Sequence, residues 1–165
     1  MLRRIITPHS QSSSPKFALY TTKAAGITVL NKVLYTANAH TTGGRRDGRS
    51  KTDDGRLDVV MSAPGSNGPG TNPEQLFAAG YSACFIGAMR AVSAKEKIKF
   101  PEATSVDAQV ALGTTDKGYG LAVKLQVTVP DLERSQAERL VQGAHAVCPY
   151  SNATRGNIQV DISLK

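Results

Sequence analysis

Thr71-Asn72-Pro73-Glu74-Gln75-Leu76-Phe77-Ala78-Ala79-Gly80-Tyr81-Ser82-Ala83-Cys84-Phe85-Ile86-Gly87-Ala88-Met89-Arg90 opens on helix signals and then runs almost without charge. Asn72 is suited to cap a helix, Pro73 to its first position and Glu74 to its positive first turn, with Gln75 three residues past the cap. From there to Arg90 hardly a position favours water. A helix apolar on every side is buried, and about 14 such residues are too few to span a bilayer. The pattern predicts a core helix with a thiol, Cys84, at its middle. Gly80, Cys84, Gly87, Ala88 and Ala91 recur at helical spacing, so that face should be flat enough for another backbone to approach closely.

The chain of 165 residues suits one domain with a proper core. Its net charge of +7 suggests nucleic acid at first sight, but the charge is segregated. Residues 1–46 carry Arg3, Arg4, Lys16, Lys23, Lys32, Arg45 and Arg46 with no acid, and the other 119 residues balance 13 basic against 13 acidic side chains. A neutral body argues against nucleic acid as a partner. Residues 1–26, with Arg3-Arg4 and a Ser10-Gln11-Ser12-Ser13-Ser14-Pro15 cluster, have the composition of an organellar transit segment or of a plain disordered tail. The first implies a mitochondrial location and the second, in a bacterium, the cytoplasm. The two cysteines, Cys84 and Cys148, form no C-x-x-C motif. His145 precedes Cys148 on the same helical face, with only His9 and His40 besides. A metal site is weakly signalled and none is expected.

Strands are predicted at Val33-Leu34-Tyr35-Thr36-Ala37-Asn38-Ala39-His40 and at Arg56-Leu57-Asp58-Val59-Val60-Met61, as a hairpin joined through a polar turn. The Gly/Pro-rich residues 63–70 lack phosphate-loop spacing and read as a connector. Beyond the core helix, Val106, Ala108, Val110 and Leu112, then Tyr119, Leu121, Val123, Leu125, Val127 and Val129, alternate with more polar neighbours as a second hairpin. Ser135-Gln136-Ala137-Glu138 resembles a capping box for a second helix, whose stripe is Ala137, Leu140, Val141, Ala144 and Val147 or Cys148, ending at Pro149. Ile158, Val160, Ile162 and Leu164 mark a last strand. The expected class is α+β, antiparallel sheets around two helices in the order β-β-α-β-β-α-β.

A cysteine buried in mid-helix is usually an inert small hydrophobe, and burial raises its pKa. Reactivity at Cys84 therefore requires an imported cation. Arginine fits, being always charged and able to hold a thiolate while donating to a second oxygen. A carboxylate is then needed to fix the guanidinium, and Glu74 is one candidate.

At this point Thr42-Gly43-Gly44-Arg45, Asp47-Gly48-Arg49, the stretch from Thr71 to Phe85 and Val147-Cys148-Pro149-Tyr150-Ser151-Asn152-Ala153-Thr154-Arg155-Gly156-Asn157 together resemble the Ohr/OsmC family. The Cys-Pro-Tyr-Ser-Asn-Ala run favours its organic hydroperoxide resistance branch. The resemblance covers residues 27–165 and leaves 1–26 as an extension. It implies an intertwined homodimer and a thiol-dependent peroxidase that reduces lipid or alkyl hydroperoxides to alcohols. Cys84 is then the peroxidatic thiol and Cys148 the resolving thiol, with an activating arginine oriented by Glu74. Phe77, Tyr81, Phe85 and Met89 are candidate pocket lining, or equally plain core. No bound cofactor is implied, and the reductant is a lipoyl dithiol, dihydrolipoamide or a lipoylated protein. The family pattern has one arginine where this chain has Arg45-Arg46; Arg45 is favoured, because the strand before it fixes its position, with Arg46 as the other register. Two other classes compete: a noncatalytic binder of apolar small molecules with inert cysteines, and a redox sensor whose disulfide switches a partner surface.

Overall fold

A computed structural model describes residues 27–165. The proposed extension, 1–26, lies outside the described residues. Residues 27–36 belong to a unit separate from 37–165 and hold no strand, with Val29, Leu30, Val33, Leu34 and Tyr35 exposed.

The second unit begins with a three-stranded meander, β1 (Ala39–Thr42), β2 (Arg49–Thr52) and β3 (Asp58–Val60). The expected hairpin is thus corrected in two places. The first strand starts at Ala39 because its ladder ends at the Ala39↔Thr52 pair, where Asn38 and Asp53 close it. The stretch expected to be a turn holds the extra strand β2. Its side chains, Arg-Ser-Lys-Thr, are polar, and Arg49 is held across to β3 by a two-pronged contact with Asp58 at 2.7 and 2.9 Å.

Asn72 caps the core helix α1 (Pro73–Glu96) by accepting the Gln75 N–H at 2.9 Å. The helix ends where Lys97 turns left-handed at φ 57°. With 24 residues it is long and apolar enough to cross a membrane by composition, longer than the run expected. It instead packs against β4 (Ser105–Thr115), α2 (Arg134–Val147) and α3 (Pro149–Thr154). Tyr81, Phe85, Met89 and Val92 turn inward onto Val123, Leu125 and Val127 of β5 (Gly118–Thr128) and onto Ala144 and Cys148. Each large side chain so buried contributes about 1.5–3 kcal/mol.

The face opposite, Ala79, Ala83, Gly87, Ala91 and Ala94, is exposed. This corrects the expected flat face: Gly80 lies under the Tyr150 ring, Cys84 meets Cys148 and Ala88 is buried. Small residues occur all round this helix, so only the direction of the large ones determines which small ones remain outside.

β4 and β5 form a long antiparallel hairpin turning at Asp116-Lys117, while β6 (Gln159–Leu164) runs parallel to β5. That differs from the purely antiparallel expectation. The cause is the crossover: α2, about 21 Å long, returns the chain to the start of β5 before β6 begins. Helix α2 begins at Arg134 after Glu133, with no side-chain cap, so Ser135 lies inside it rather than capping it. Pro149 ends α2 as expected, yet also opens α3, where its missing N–H costs nothing.

Where α1 and α2 cross, a Cβ on Gly143 would come within 2.8 Å of Val92 Cγ1. Val92 is buried, short and stiff at χ1, so it cannot swing aside. Gly143→Ala should therefore lower stability by about 1–2 kcal/mol in urea unfolding, although alanine ordinarily favours a helix interior by about 1 kcal/mol. An unchanged or raised midpoint would show that the crossing has slack.

Candidate active site

Two groups of the predicted residues come together, at separate places. The first lies at the start of α1. Gly43 and Gly44 take φ 73° and 90°, and a Cβ on Gly48 would collide with the carbonyl oxygens of Thr42 and Gly44 at 2.3 Å. The β1–β2 turn thus closes backbone on backbone and presents Arg45 from a tightly defined loop. The Gly48 carbonyl accepts the Met61 N–H at 2.7 Å, and Met61 bridges to Thr71 beside the helix cap. The loop and the first turn of α1 are thereby tied to each other, and Arg45 Nη2 reaches Glu74 Oε1 at 2.6 Å. Arg45, not Arg46, is the arginine that meets Glu74. The carboxylate is largely buried, and its second oxygen, Oε2, is buried without a hydrogen-bond partner among the described residues. Beside it opens a groove of about 450 Å³, with Ala78, Ala108, Val110 and Leu112 on its apolar side.

The second group lies ten residues along the same helix. Cys84, half-buried, faces Cys148, which is completely buried at the joint between α2 and α3. Both thiols are free, and the Cys148 Sγ donates to the Cys84 Sγ at 3.4 Å. The Tyr150 backbone N–H also points at the Cys84 sulfur, and is the first N–H of α3 because Pro149 has none. Burial pushes the Cys84 thiol above its ordinary pKa, the Tyr150 N–H pulls it down, and the Cys148 thiol pushes it up again. Among the described residues no guanidinium contributes to that shift. Tyr150 was missed in the sequence, where an aromatic after a proline reads as loop. Its ring stacks on Phe77 at 5.7 Å and 9° and meets Tyr81 edge-on, over the space a Gly80 side chain would fill.

Of the candidate pocket residues, Tyr81, Phe85 and Met89 are fully buried and serve as core; only Phe77 stays partly open, beside Tyr150. The three buried residues pack in one cluster with Val123, Leu125, Val127, Ala144 and Cys148. His145 lies partly buried, its pKa lowered by burial and then by Arg155, and its Nδ1 has no hydrogen-bond partner among the described residues. No group of three or more His, Cys, Asp or Glu that could hold a metal occurs among the described residues.

Similar proteins share this arrangement of elements. The family described as OsmC-like protein matches residues 64–163. An organic hydroperoxide resistance protein of Xanthomonas axonopodis pv. citri is 53% identical over 137 residues, covering 81% of this chain and 96% of its own. The crystal structure of OhrB from Bacillus subtilis superposes with a TM-score of 0.75 at 43% identity, over 81% of this chain and all of that one. A putative organic hydroperoxide resistance protein of Vibrio cholerae, with captopril bound in one of its active sites, gives 0.75 at 40% identity, over 81% of this chain and 94% of its own. On this evidence the chain belongs to the OsmC family, in its organic hydroperoxide resistance branch.

Proposed function

We propose that the chain is a cysteine peroxidase that reduces organic hydroperoxides to alcohols. The observation that carries this reading is the 3.4 Å between the sulfurs of Cys84 and Cys148, of which only Cys84 is accessible. Two inert core cysteines have no need to face each other, and a disulfide at about 2.05 Å needs an approach of only about 1.4 Å. The Cys84 thiolate attacks the peroxide O–O bond and takes one oxygen, and the alkoxide leaves with a proton as the alcohol. The sulfenic acid then accepts the Cys148 sulfur, releasing water and leaving a disulfide. A dithiol of the dihydrolipoyl class returns both thiols, itself becoming a cyclic disulfide. Relatives named for organic hydroperoxide resistance support the substrate class, as does the apolar groove beside Glu74, which suits an alkyl or aryl chain. Their bacterial origin favours the cytoplasm over a mitochondrion.

The active form is a homodimer in which each site draws on both copies. Glu74 and Cys84 stand ten residues apart on a helix unbroken at Gly80, a rise of roughly 15 Å. Within one chain the Arg45–Glu74 pair is therefore too far along the helix to activate the thiol. The exposed alanine and glycine face of α1, and a first sheet whose strand β1 is exposed throughout, are surfaces for a second copy to cover. Two-fold symmetry then brings each Arg45–Glu74 pair to the other copy's Cys84.

Steady-state consumption of cumene hydroperoxide should run with dihydrolipoamide and lag with thioredoxin or glutathione. Cys84→Ser should bring the rate to background, whereas Cys148→Ser should still oxidise Cys84 once, seen by mass after one equivalent. An unmodified Cys84 there would contradict the assignment and favour a binder; oxidation without turnover by any dithiol would favour a sensor.

Arg45→Ala should move the rising limb of the pH–rate profile up by about one to three units, because a thiolate without its cation forms only at higher pH. Neutral-pH attack then slows by roughly tenfold or more and recovers as pH rises. Arg46→Ala should stay near wild type; a larger effect at Arg46 would reverse the assignment.

A further inference from the structure

A buried polar cluster lies beside the two cysteines and has no part in the chemistry so far. Tyr81 precedes Cys84 by three residues on α1, and Ser151 follows Cys148 by three on α3. Their hydroxyl oxygens meet at 2.9 Å, and Thr154 Oγ1 lies 3.4 Å from the same phenol oxygen. Tyr81 and Ser151 are completely buried and Thr154 nearly so. Thr154 donates its own proton to the Tyr150 carbonyl at 2.9 Å, so it offers Tyr81 only an acceptor. Apolar side chains would fill this volume at less risk, since a buried hydroxyl without a partner costs stability. What a hydrogen bond adds is a defined distance between the two elements that carry it. Here it joins the turn bearing Cys84 to the turn bearing Cys148.

We infer that Tyr81 and Ser151 are positioning residues that hold Cys148 within reach of Cys84, so that the sulfenic acid closes to a disulfide before a second hydroperoxide can oxidise it. The inference rests on the peroxidase reading above. Two reactions compete for the same sulfur. In one, the Cys148 thiol displaces water from the sulfenic acid and the S–S bond forms. In the other, a second hydroperoxide molecule transfers an oxygen to that sulfur, giving sulfinic acid and another alcohol, with no return to thiol. The peroxide reaction depends on its concentration, whereas disulfide closure depends only on where Cys148 stands. A loosened α3 therefore tips the outcome toward sulfinic acid without touching the first oxidation of Cys84.

The test uses full-length wild type, Tyr81→Phe, Ser151→Ala and the double variant, each cycled with dihydrolipoamide under rising cumene hydroperoxide. Disulfide and sulfinic acid at Cys84 are quantified by mass spectrometry, and the thermal midpoint of each variant is measured. Tyr81→Phe removes one oxygen and should fold. Its sulfinic fraction per turnover is expected to rise about tenfold, on the scale of one lost buried hydrogen bond. The double variant leaves neither partner unpaired and should regain much of its thermal midpoint, yet stay as prone to sulfinic acid as Tyr81→Phe. A wild-type sulfinic fraction in Tyr81→Phe overturns the inference, and so does a fraction that follows the thermal midpoint across the set. If wild type itself forms no disulfide, the peroxidase reading fails and this inference with it.

Discussion

An unbroken helix keeps its residues at fixed separations, and in this chain that rigidity divides the chemistry. Between Pro73 and Glu96 nothing interrupts α1, so Glu74, which holds Arg45, stays a rise of roughly 15 Å along the helix from Cys84. One end of the helix has a charge pair and no thiol. Its middle has a thiol pair, with burial the largest influence on Cys84 and, among the described residues, no cation to favour the thiolate. On the proposed reading, the two groups are halves of one site, and thiolate chemistry needs both. In the proposed dimer, the exposed stripe of small residues along the outer face of α1 is the surface that a second copy would cover.

The two halves are fixed by different means. Arg45 is presented by a glycine turn in which backbone packs on backbone, with the loop then tied through Met61 to the helix cap. Little in that path can shift without breaking a main-chain hydrogen bond. Cys148, by contrast, sits at a joint between two helices, where Pro149 removes one N–H and leaves that of Tyr150 to the Cys84 sulfur. Its position depends on side-chain contacts between α3 and α1: the Phe77–Tyr150 stack and the Tyr81–Ser151 hydrogen bond. Main-chain hydrogen bonds from Cys148 N to Ala144 O at 2.8 Å and from Asn152 N to Cys148 O at 2.9 Å anchor the same joint to both helices.

The start of α1 was legible because capping is local: Asn72, Pro73 and Glu74 act within one turn of themselves. Cys84 and Cys148 were found through a long motif, and their contact joins residues 64 positions apart, which no local pattern encodes. Strand β2 escaped because Arg-Ser-Lys-Thr carries no apolar alternation; its place comes from the ladders on either side. The direction of β6 was equally hidden, since alternation looks the same read parallel or antiparallel. Helix α3 was missed because a proline that ends one helix can begin the next. For Phe77, Tyr81, Phe85 and Met89 the sequence leaves pocket and core equally open, because which side chains face the core depends on which way the helix is rolled; Tyr81, Phe85 and Met89 prove to be core.

Division of the site between two copies is tested most directly by mixing two disabled subunits. Cys84→Ser lacks the thiol and Glu74→Ala lacks the carboxylate, so each homodimer should be nearly inactive. If the pair acts across the interface, one site of every heterodimer has both residues intact, and about half the wild-type peroxidase activity per heterodimer should return. If Glu74 acts on the Cys84 of its own chain, no site in the mixture is whole, and activity that stays at the level of the separate variants would contradict the account.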